Sequence, residues 1–81
     1  MNKEDVRKVV RLTISEILKI PVEVVIESLS IGDMPQWGSM AQMEIIVALQ
    51  NKFGIKIPME DLFDLTTVQN MADEVEKLLG K

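Results

Sequence analysis

The chain of 81 residues contains no cysteine and no histidine, and it has one tryptophan and two phenylalanines. Without cysteine there is no disulfide framework, no thiol nucleophile and no cysteine-based zinc site. Without histidine there is no imidazole base, so a Ser-His-Asp triad is excluded within the chain. The acidic residues are not spaced like an EF-hand loop, and no metal site is predicted. The composition therefore argues against an enzyme or a metalloprotein.

Long hydrophobic runs are also missing. No stretch is long and apolar enough to span a bilayer, so membrane insertion is not expected. No basic segment followed by an apolar one opens the chain, which predicts a cytoplasmic protein.

The charge is acidic but unevenly placed. The net charge is −4, and residues 1–30 carry five residues of each sign, so the acidic excess lies in residues 31–81. A phosphate-binding surface needs the opposite sign, and nucleic acid is therefore not expected as a partner. Basic surfaces on other proteins are better candidates.

Hydrophobic periodicity predicts an all-α protein. In three segments the apolar residues recur at steps of three and four, as on one face of an amphipathic helix. Proline or glycine follows each of them, and one further short helical turn lies between the second and the third. The chain is interpreted as a single domain, residues 1–81, in which four helices form a bundle. The helices are predicted at about 3–18, 39–53, 60–64 and 67–79.

Two sequence patterns predict how the second and last helices begin. Ser39 and Gln42 fit the capping box S-x-x-Q, and Thr66 and Gln69 fit its threonine equivalent. In the short turn between these helices, Leu62, Phe63 and Leu65 are expected to face partly inward.

Residues 19–38 form a long connection after the first helix. No second strand-like run lies nearby, so an ordered loop over the bundle is expected, held by Val25, Ile26 and Leu29. Loops of this length in small domains are often functional. Trp37 near its end is interpreted as an anchor of the loop.

Three blocks of the sequence agree in order and spacing with one protein family. They are residues 36–49 (QWGSMAQMEIIVAL), 53–58 (FGIKIP) and 65–68 (LTTV). They resemble the D-S-L motif and E-h-h-h-A-L run of the second helix in acyl carrier proteins, the F-x-I-x-I-P stretch after it, and the L/I-T-T-V that opens the final helix. The resemblance covers residues 3–79, and it implies the four-helix fold of that family.

The resemblance also implies a function. Ser39 matches the serine that receives 4′-phosphopantetheine from coenzyme A through a phosphopantetheinyl transferase. The terminal thiol of this arm then holds an acyl or aminoacyl group as a thioester, for delivery to acyl-loading and acyl-processing enzymes of fatty acid, polyketide or related biosynthesis. By its local sequence alone Ser39 is more simply an N-cap. The aligned blocks reverse that preference, and a helix N-terminus also favours a phosphodiester.

The partner surface is expected on the second helix and the short turn. The second helix is apolar nearly all round, so part of it is expected to meet a partner. By resemblance and position, the candidate partner-binding residues are Met40, Glu44, Ile45, Val47, Glu60 and Asp61.

The sequence departs from the family at Gly38, where aspartate is usual, and in the few acidic residues at the end of the second helix. The departure at Gly38 favours an alternative, an unmodified helical module that docks through the second helix. An enzyme acting through Glu60 and Asp61 is disfavoured, because neighbouring side chains on a helix point in different directions. A monomer is the expected oligomeric state, and the sequence does not specify the cargo.

Overall fold

The computed structural model describes residues 2–80, and Met1 and Lys81 of the predicted domain lie outside this range. The regular elements of the described residues are all helices, and no β-strand forms among them, so the predicted all-α class with three main helices and a short one is confirmed. In chain order the elements are α1 (Lys3–Leu18), the 3₁₀ helix η1 (Val22–Val24), α2 (Ser39–Phe53), the 3₁₀ helix η2 (Met59–Asp64) and α3 (Val68–Leu79).

The helices α1 and α2 each end at a residue with left-handed backbone angles. Asn2 caps α1, since its side chain accepts a 2.9 Å hydrogen bond from the backbone N–H of Asp5. Lys19 ends α1 with φ 59°. Gly54 ends α2 with φ 63°, a conformation that glycine adopts without steric cost.

The core lies where the three α-helices meet, because α1 packs against both α2 and α3. Each helix contributes side chains that are fully shielded from solvent, and burying such a side chain is worth roughly 1.5–3 kcal/mol. These include Val10 and Ile14 of α1, Ile45 and Leu49 of α2, and Met71 and Val75 of α3.

The long connection is fastened to the start of α3 by its backbone. The N–H of Ile31 donates to the carbonyl of Thr66 over 2.9 Å, and the N–H of Val68 donates to that of Leu29 over 3.0 Å. Val25 and Leu29 are buried as expected, but the expectation for Ile26 is wrong, because its side chain is 54% exposed. The backbone makes a tight turn at Val25, where φ is −83° and ψ is 73° and the N–H of Ile26 donates to the carbonyl of Val24 over 2.9 Å. With Val25 buried, this turn leaves the Ile26 side chain in solvent.

The short helix differs from its prediction in type and orientation. It begins at Met59, one residue before the predicted start, and it is a 3₁₀ helix. Phe63 does not face inward and is 84% exposed, whereas Leu65 is buried. A 3₁₀ helix has three residues per turn, so Leu62 and Leu65 share the inner face and Phe63 lies off it.

The predicted cap of the last helix is wrong by one residue. Thr67, not Thr66, is the N-cap of α3, and its hydroxyl accepts a 3.0 Å hydrogen bond from the N–H of Asn70.

One arginine joins three parts of the chain. Arg7 of α1 forms ion pairs with Glu27 of the long connection at 3.0 Å, with Glu76 of α3 at 2.8 Å, and with Asp73 of α3. This network supports the face of the bundle on which the connection crosses from α1 to α3.

Candidate functional site

Ser39 is the first residue of α2, and it is exposed to solvent. Its predicted role as the N-cap is wrong, because Gly38 occupies that position with extended backbone angles and no side-chain cap. The carbonyl of Gly38 accepts the first helical hydrogen bond, from the N–H of Gln42 at 3.0 Å. The Ser39 hydroxyl is therefore not committed to capping.

Gln42 explains why no capping box forms. Its side-chain oxygen accepts a 2.7 Å hydrogen bond from the indole Nε1 of Trp37, and its side-chain nitrogen donates one of 2.7 Å to the carbonyl of Leu65. Gln42 thus connects Leu65, the residue after η2, with the loop that precedes α2. Its side chain cannot also reach back to the start of α2.

Trp37 anchors the approach to Ser39. Its side chain is completely buried, and its carbonyl accepts a 3.0 Å hydrogen bond from Gly32. The backbone N–H of Trp37 donates over 3.1 Å to the carbonyl of Met34. The interpretation of Trp37 as a loop anchor fits this burial, and the anchor fixes the backbone two residues before Ser39.

The chemical setting of Ser39 suits an anionic substituent. The first N–H groups of an α-helix have no acceptor within the helix, and they carry the positive end of the helix dipole. No side chain occupies the cap position here, because residue 38 is glycine. A phosphodiester on the Ser39 hydroxyl is therefore compatible with the charge and the space at this helix end.

One side of α2 exposes apolar side chains next to Ser39. Met40 is 80% exposed, and Met43 and Val47 are exposed as well. Their spacing of three and four places them in one stripe along the helix. Glu44 is also exposed.

Ile45 was assigned to the partner-facing side, and this assignment is wrong. Its side chain is fully buried, as is that of Leu49 four residues later. Positions four residues apart share a helix face, so Ile45 and Leu49 form the core stripe of α2.

Both ends of the segment that contains η2 are hydrogen-bonded to α2, so the segment runs in the opposite direction to that helix. Ile57, two residues before the start of η2, donates its N–H to the side-chain oxygen of Gln50 over 2.9 Å, while Leu65 just after its end accepts a hydrogen bond from Gln42 through its carbonyl. Phe63 therefore lies toward the Ser39 end of α2. The sequence did not indicate that Phe63 and Met59 are exposed. The three-residue spacing of Leu62 and Leu65 is the signal that places Phe63 off the inner face of η2.

Glu60 and Asp61 of η2 have different surroundings. Glu60 is exposed, whereas Asp61 is half-buried and lies 3.5 Å from the ammonium group of Lys77. A hydrogen bond with Glu74 and the charge of Lys77 lower the pKa of Asp61. The two carboxylates do not converge on a common point, in keeping with the argument against an acid pair.

Two absences hold for the part of the chain that the structure describes. Within residues 2–80 no group of three or more histidine, cysteine, aspartate or glutamate side chains is placed to hold a metal ion. Among the same residues no helix combines the length and the apolar character that crossing a membrane requires.

Comparison with protein-family profiles gives a match over part of the chain. The family profile described as "Phosphopantetheine attachment site" matches residues 38–75, a segment that begins one residue before Ser39. Over these residues the chain is similar to phosphopantetheine attachment sites.

Relatives that match over most of their own length then define the family. An acyl carrier protein of Thermobifida fusca is 39% identical over 64 residues, which are 79% of this chain and 81% of the relative. An acyl carrier protein of Buchnera aphidicola is 35% identical over 71 residues, 88% of this chain and 90% of the relative. The solution structure of a holo acyl carrier protein from Geobacter metallireducens superposes with a TM-score of 0.81 at 26% identity, covering 91% of this chain and 85% of that one. The chain belongs to the acyl carrier protein family.

Family membership has direct consequences. The protein is a carrier and not a catalyst, and its cofactor is covalently attached 4′-phosphopantetheine. Membership also implies that it interacts with a phosphopantetheinyl transferase and with acyl-processing enzymes.

Proposed function

We propose that Ser39 is the attachment residue and that the protein carries an acyl or aminoacyl group as a thioester on the attached arm. The observation that carries the proposal is the position of Ser39, an exposed hydroxyl on the first residue of α2. The match to the attachment family covers this residue. The anchored Trp37 and the absence of a competing cap bond support it.

Attachment is a phosphoryl-group transfer from coenzyme A. The Ser39 oxygen bonds to the phosphorus that bears the pantetheine arm, and the bond from that phosphorus to the rest of coenzyme A breaks. The hydroxyl proton passes to a base, which we assign to the transferase. The attached arm supplies the thiol on which the thioester is held. The residues of this chain present the hydroxyl and favour the phosphodiester at the helix N-terminus.

We assign the partner-binding surface to exposed residues of α2 and η2. Met40, Glu44 and Val47 form its α2 part, and Glu60 and Asp61 form its η2 part. The exposure of the first four supports this assignment. Asp61 already contacts Lys77, so it contributes less free charge than Glu60 does. Ile45 is not part of the surface, because it lies in the core.

The pathway is part of the proposal as well. Delivery to enzymes of fatty acid, polyketide or related biosynthesis agrees with the relatives, which are named acyl carrier proteins. The intact mass of the protein purified from its own cell identifies the attached group. A monomer and a cytoplasmic location stay predictions from the sequence.

The test is loading in vitro. The protein is incubated with coenzyme A and a phosphopantetheinyl transferase of broad specificity, and its intact mass is measured. We expect one phosphopantetheine on the wild type and none on Ser39→Ala. Ser28→Ala, an exposed serine of the long connection, is the matched control and should be modified like the wild type.

Gly38 supports one other candidate, an unmodified module that docks through α2. Glycine at position 38 lacks the carboxylate that the family usually has before the serine. For this candidate the wild type gains no phosphopantetheine, and a partner binds wild type and Ser39→Ala equally well. Either loading of Ser39→Ala or failure of the wild type to load overturns the assignment of Ser39.

A further inference from the structure

A buried carboxyl group of α3 lies against η2. Glu74 is only 8% exposed, although it belongs to a residue type that is rarely buried without a partner. The ammonium group of Lys77 lies 3.6 Å from one oxygen of Glu74 and 3.5 Å from one oxygen of Asp61 on η2. One lysine thus contacts two carboxyl groups from different elements.

The second oxygen of Glu74 has no donor. Its Oε2 atom is inaccessible to solvent and has no hydrogen-bond partner among the described residues. A buried carboxylate oxygen without a donor is costly. A proton on the Glu74 carboxyl group lowers this cost, because a neutral carboxyl group is less costly to bury than a carboxylate.

The surroundings favour that proton. Burial raises the pKa of Glu74, and the hydrogen bond with Asp61 and its negative charge raise it further, while Lys77 opposes them. The charged groups that face Glu74 are Asp61 from η2 and Lys77 from α3 itself. Within residues 2–80, α1 and α2 contribute no charged group that acts on its titration.

We propose that Asp61 and Glu74 form a pH-sensitive latch between η2 and α3. The latch is closed when protonated Glu74 donates a hydrogen bond to Asp61, and it loosens when Glu74 loses its proton. In the open state two neighbouring carboxylates share the single ammonium group of Lys77, which is half exposed and therefore screened by water.

The helix η2 is suited to respond, because its middle is held against the core by Leu62, which is only partly buried. None of its six residues, Met59–Asp64, is buried. Its fastenings to α2 lie outside it, at Ile57 and Leu65. Segments with few buried contacts open at low free energy, so the loss of one hydrogen bond shifts the position of η2 measurably.

The latch concerns the surface assigned above to partner binding. Glu60 and Asp61 both lie on η2, and a loosened η2 presents them differently to an enzyme. This consequence rests on the proposed function, whereas the latch itself does not. The test therefore uses the unmodified full chain without a partner, and its failure leaves the assignment of Ser39 untouched.

The experiment is nuclear magnetic resonance of the labelled protein from about pH 4 to about pH 8. The side-chain carboxyl carbon of Glu74 reports its titration, and the amides of Asp61, Leu62 and Leu65 report η2. We expect a Glu74 midpoint above the ordinary 4.5. At the same midpoint the η2 amides should shift, and their relaxation dispersion should increase as the helix begins to exchange between positions.

Two variants isolate the latch. Glu74→Gln keeps a hydrogen-bond donor at every pH, so the increase in dispersion should disappear. All other carboxyl groups are the same in both proteins, and the difference therefore belongs to Glu74. Glu23→Gln makes the same change at an exposed position of η1 and should behave like the wild type. Equal dispersion in wild type and Glu74→Gln, or an ordinary midpoint for Glu74, overturns the proposal.

Discussion

The indole nitrogen of Trp37 donates a 2.7 Å hydrogen bond to the side-chain oxygen of Gln42. The same glutamine donates to the carbonyl of Leu65 over 2.7 Å. These two bonds join the loop before α2, the first turn of α2 and the residue after η2. They hold the three segments that surround Ser39.

Replacement of this glutamine should destabilise the fold. Gln42→Leu leaves the indole N–H and the Leu65 carbonyl without their partners, and each unpaired buried group costs about 1–3 kcal/mol. We expect a loss of about 2–4 kcal/mol in the free energy of unfolding, measured by urea denaturation. Gln69→Leu, at an exposed position of α3, is the control and should change stability by less than about 0.5 kcal/mol. Equal stability of the two variants would contradict the role of Gln42.

An aspartate at position 38, where the family usually has one, should be tolerated. A Cβ atom at Gly38 meets nothing within 4 Å, and the φ of −107° is open to any residue. Aspartate is a preferred N-cap, so Gly38→Asp should stabilise the protein by a few tenths of a kcal/mol, roughly 0.3. It should also raise kcat/KM for phosphopantetheine transfer, because the family usually has a carboxylate here. A lower melting temperature or slower transfer would count against this account of position 38.

Phe63 should matter to partners more than to the fold. Because its side chain is 84% exposed, Phe63→Ser should change the free energy of unfolding by less than about 0.5 kcal/mol. Leu65→Ala removes a buried side chain and should cost about 2–5 kcal/mol. If the apolar surface around Ser39 contacts the transferase, Phe63→Ser raises KM for the carrier protein while kcat stays the same. A strong loss of stability in Phe63→Ser would instead place the ring in the core.

The stability of the protein should depend on pH through Glu74 and Asp61. The folded-state pKa of Glu74 is raised by burial and by Asp61, so its contribution is complete below 4.5 and is lost as the pH rises through the folded value. The pKa of Asp61 is lowered by the hydrogen bond with Glu74 and by Lys77. Its contribution is therefore present above 3.8 and is lost as the pH falls through the folded value.

Urea denaturation at pH values from below 3.8 to neutrality measures the contributions of both carboxyl groups to stability. The wild type should lose stability relative to Glu74→Gln as the pH rises above 4.5 toward neutrality. A constant difference between the two proteins at all pH values would show that Glu74 is not the titrating group.

The sequence predicted the helices well because their apolar positions repeat every three to four residues. It placed the caps less well, because a capping box depends on where the glutamine side chain goes. Gln42 bonds to Leu65, which is distant in sequence, and no local pattern reveals this contact. The capping threonine was misplaced for a similar reason, since Thr66 and Thr67 are adjacent and equally suited.

The surface residues show a second limit. α2 is apolar nearly all round, so its sequence does not reveal that Ile45 faces the core while Met43 and Val47 face solvent. That choice follows from packing against α1 and α3. The burial of Glu74 was equally hidden, because an acidic residue in an amphipathic helix is normally expected in solvent.

Preventing cofactor attachment by the change Ser39→Ala should leave the fold unchanged. The hydroxyl makes no cap bond, so Ser39→Ala should alter the free energy of unfolding by less than about 0.5 kcal/mol. Loss of modification in this variant then cannot be attributed to unfolding.

The most direct test of the account is to locate the added mass. The protein loaded with coenzyme A and the transferase is digested, and its peptides are fragmented in a mass spectrometer. We predict that the phosphopantetheine lies on Ser39 and on no other residue. Its presence on another serine or threonine, with Ser39 unmodified, would contradict the account.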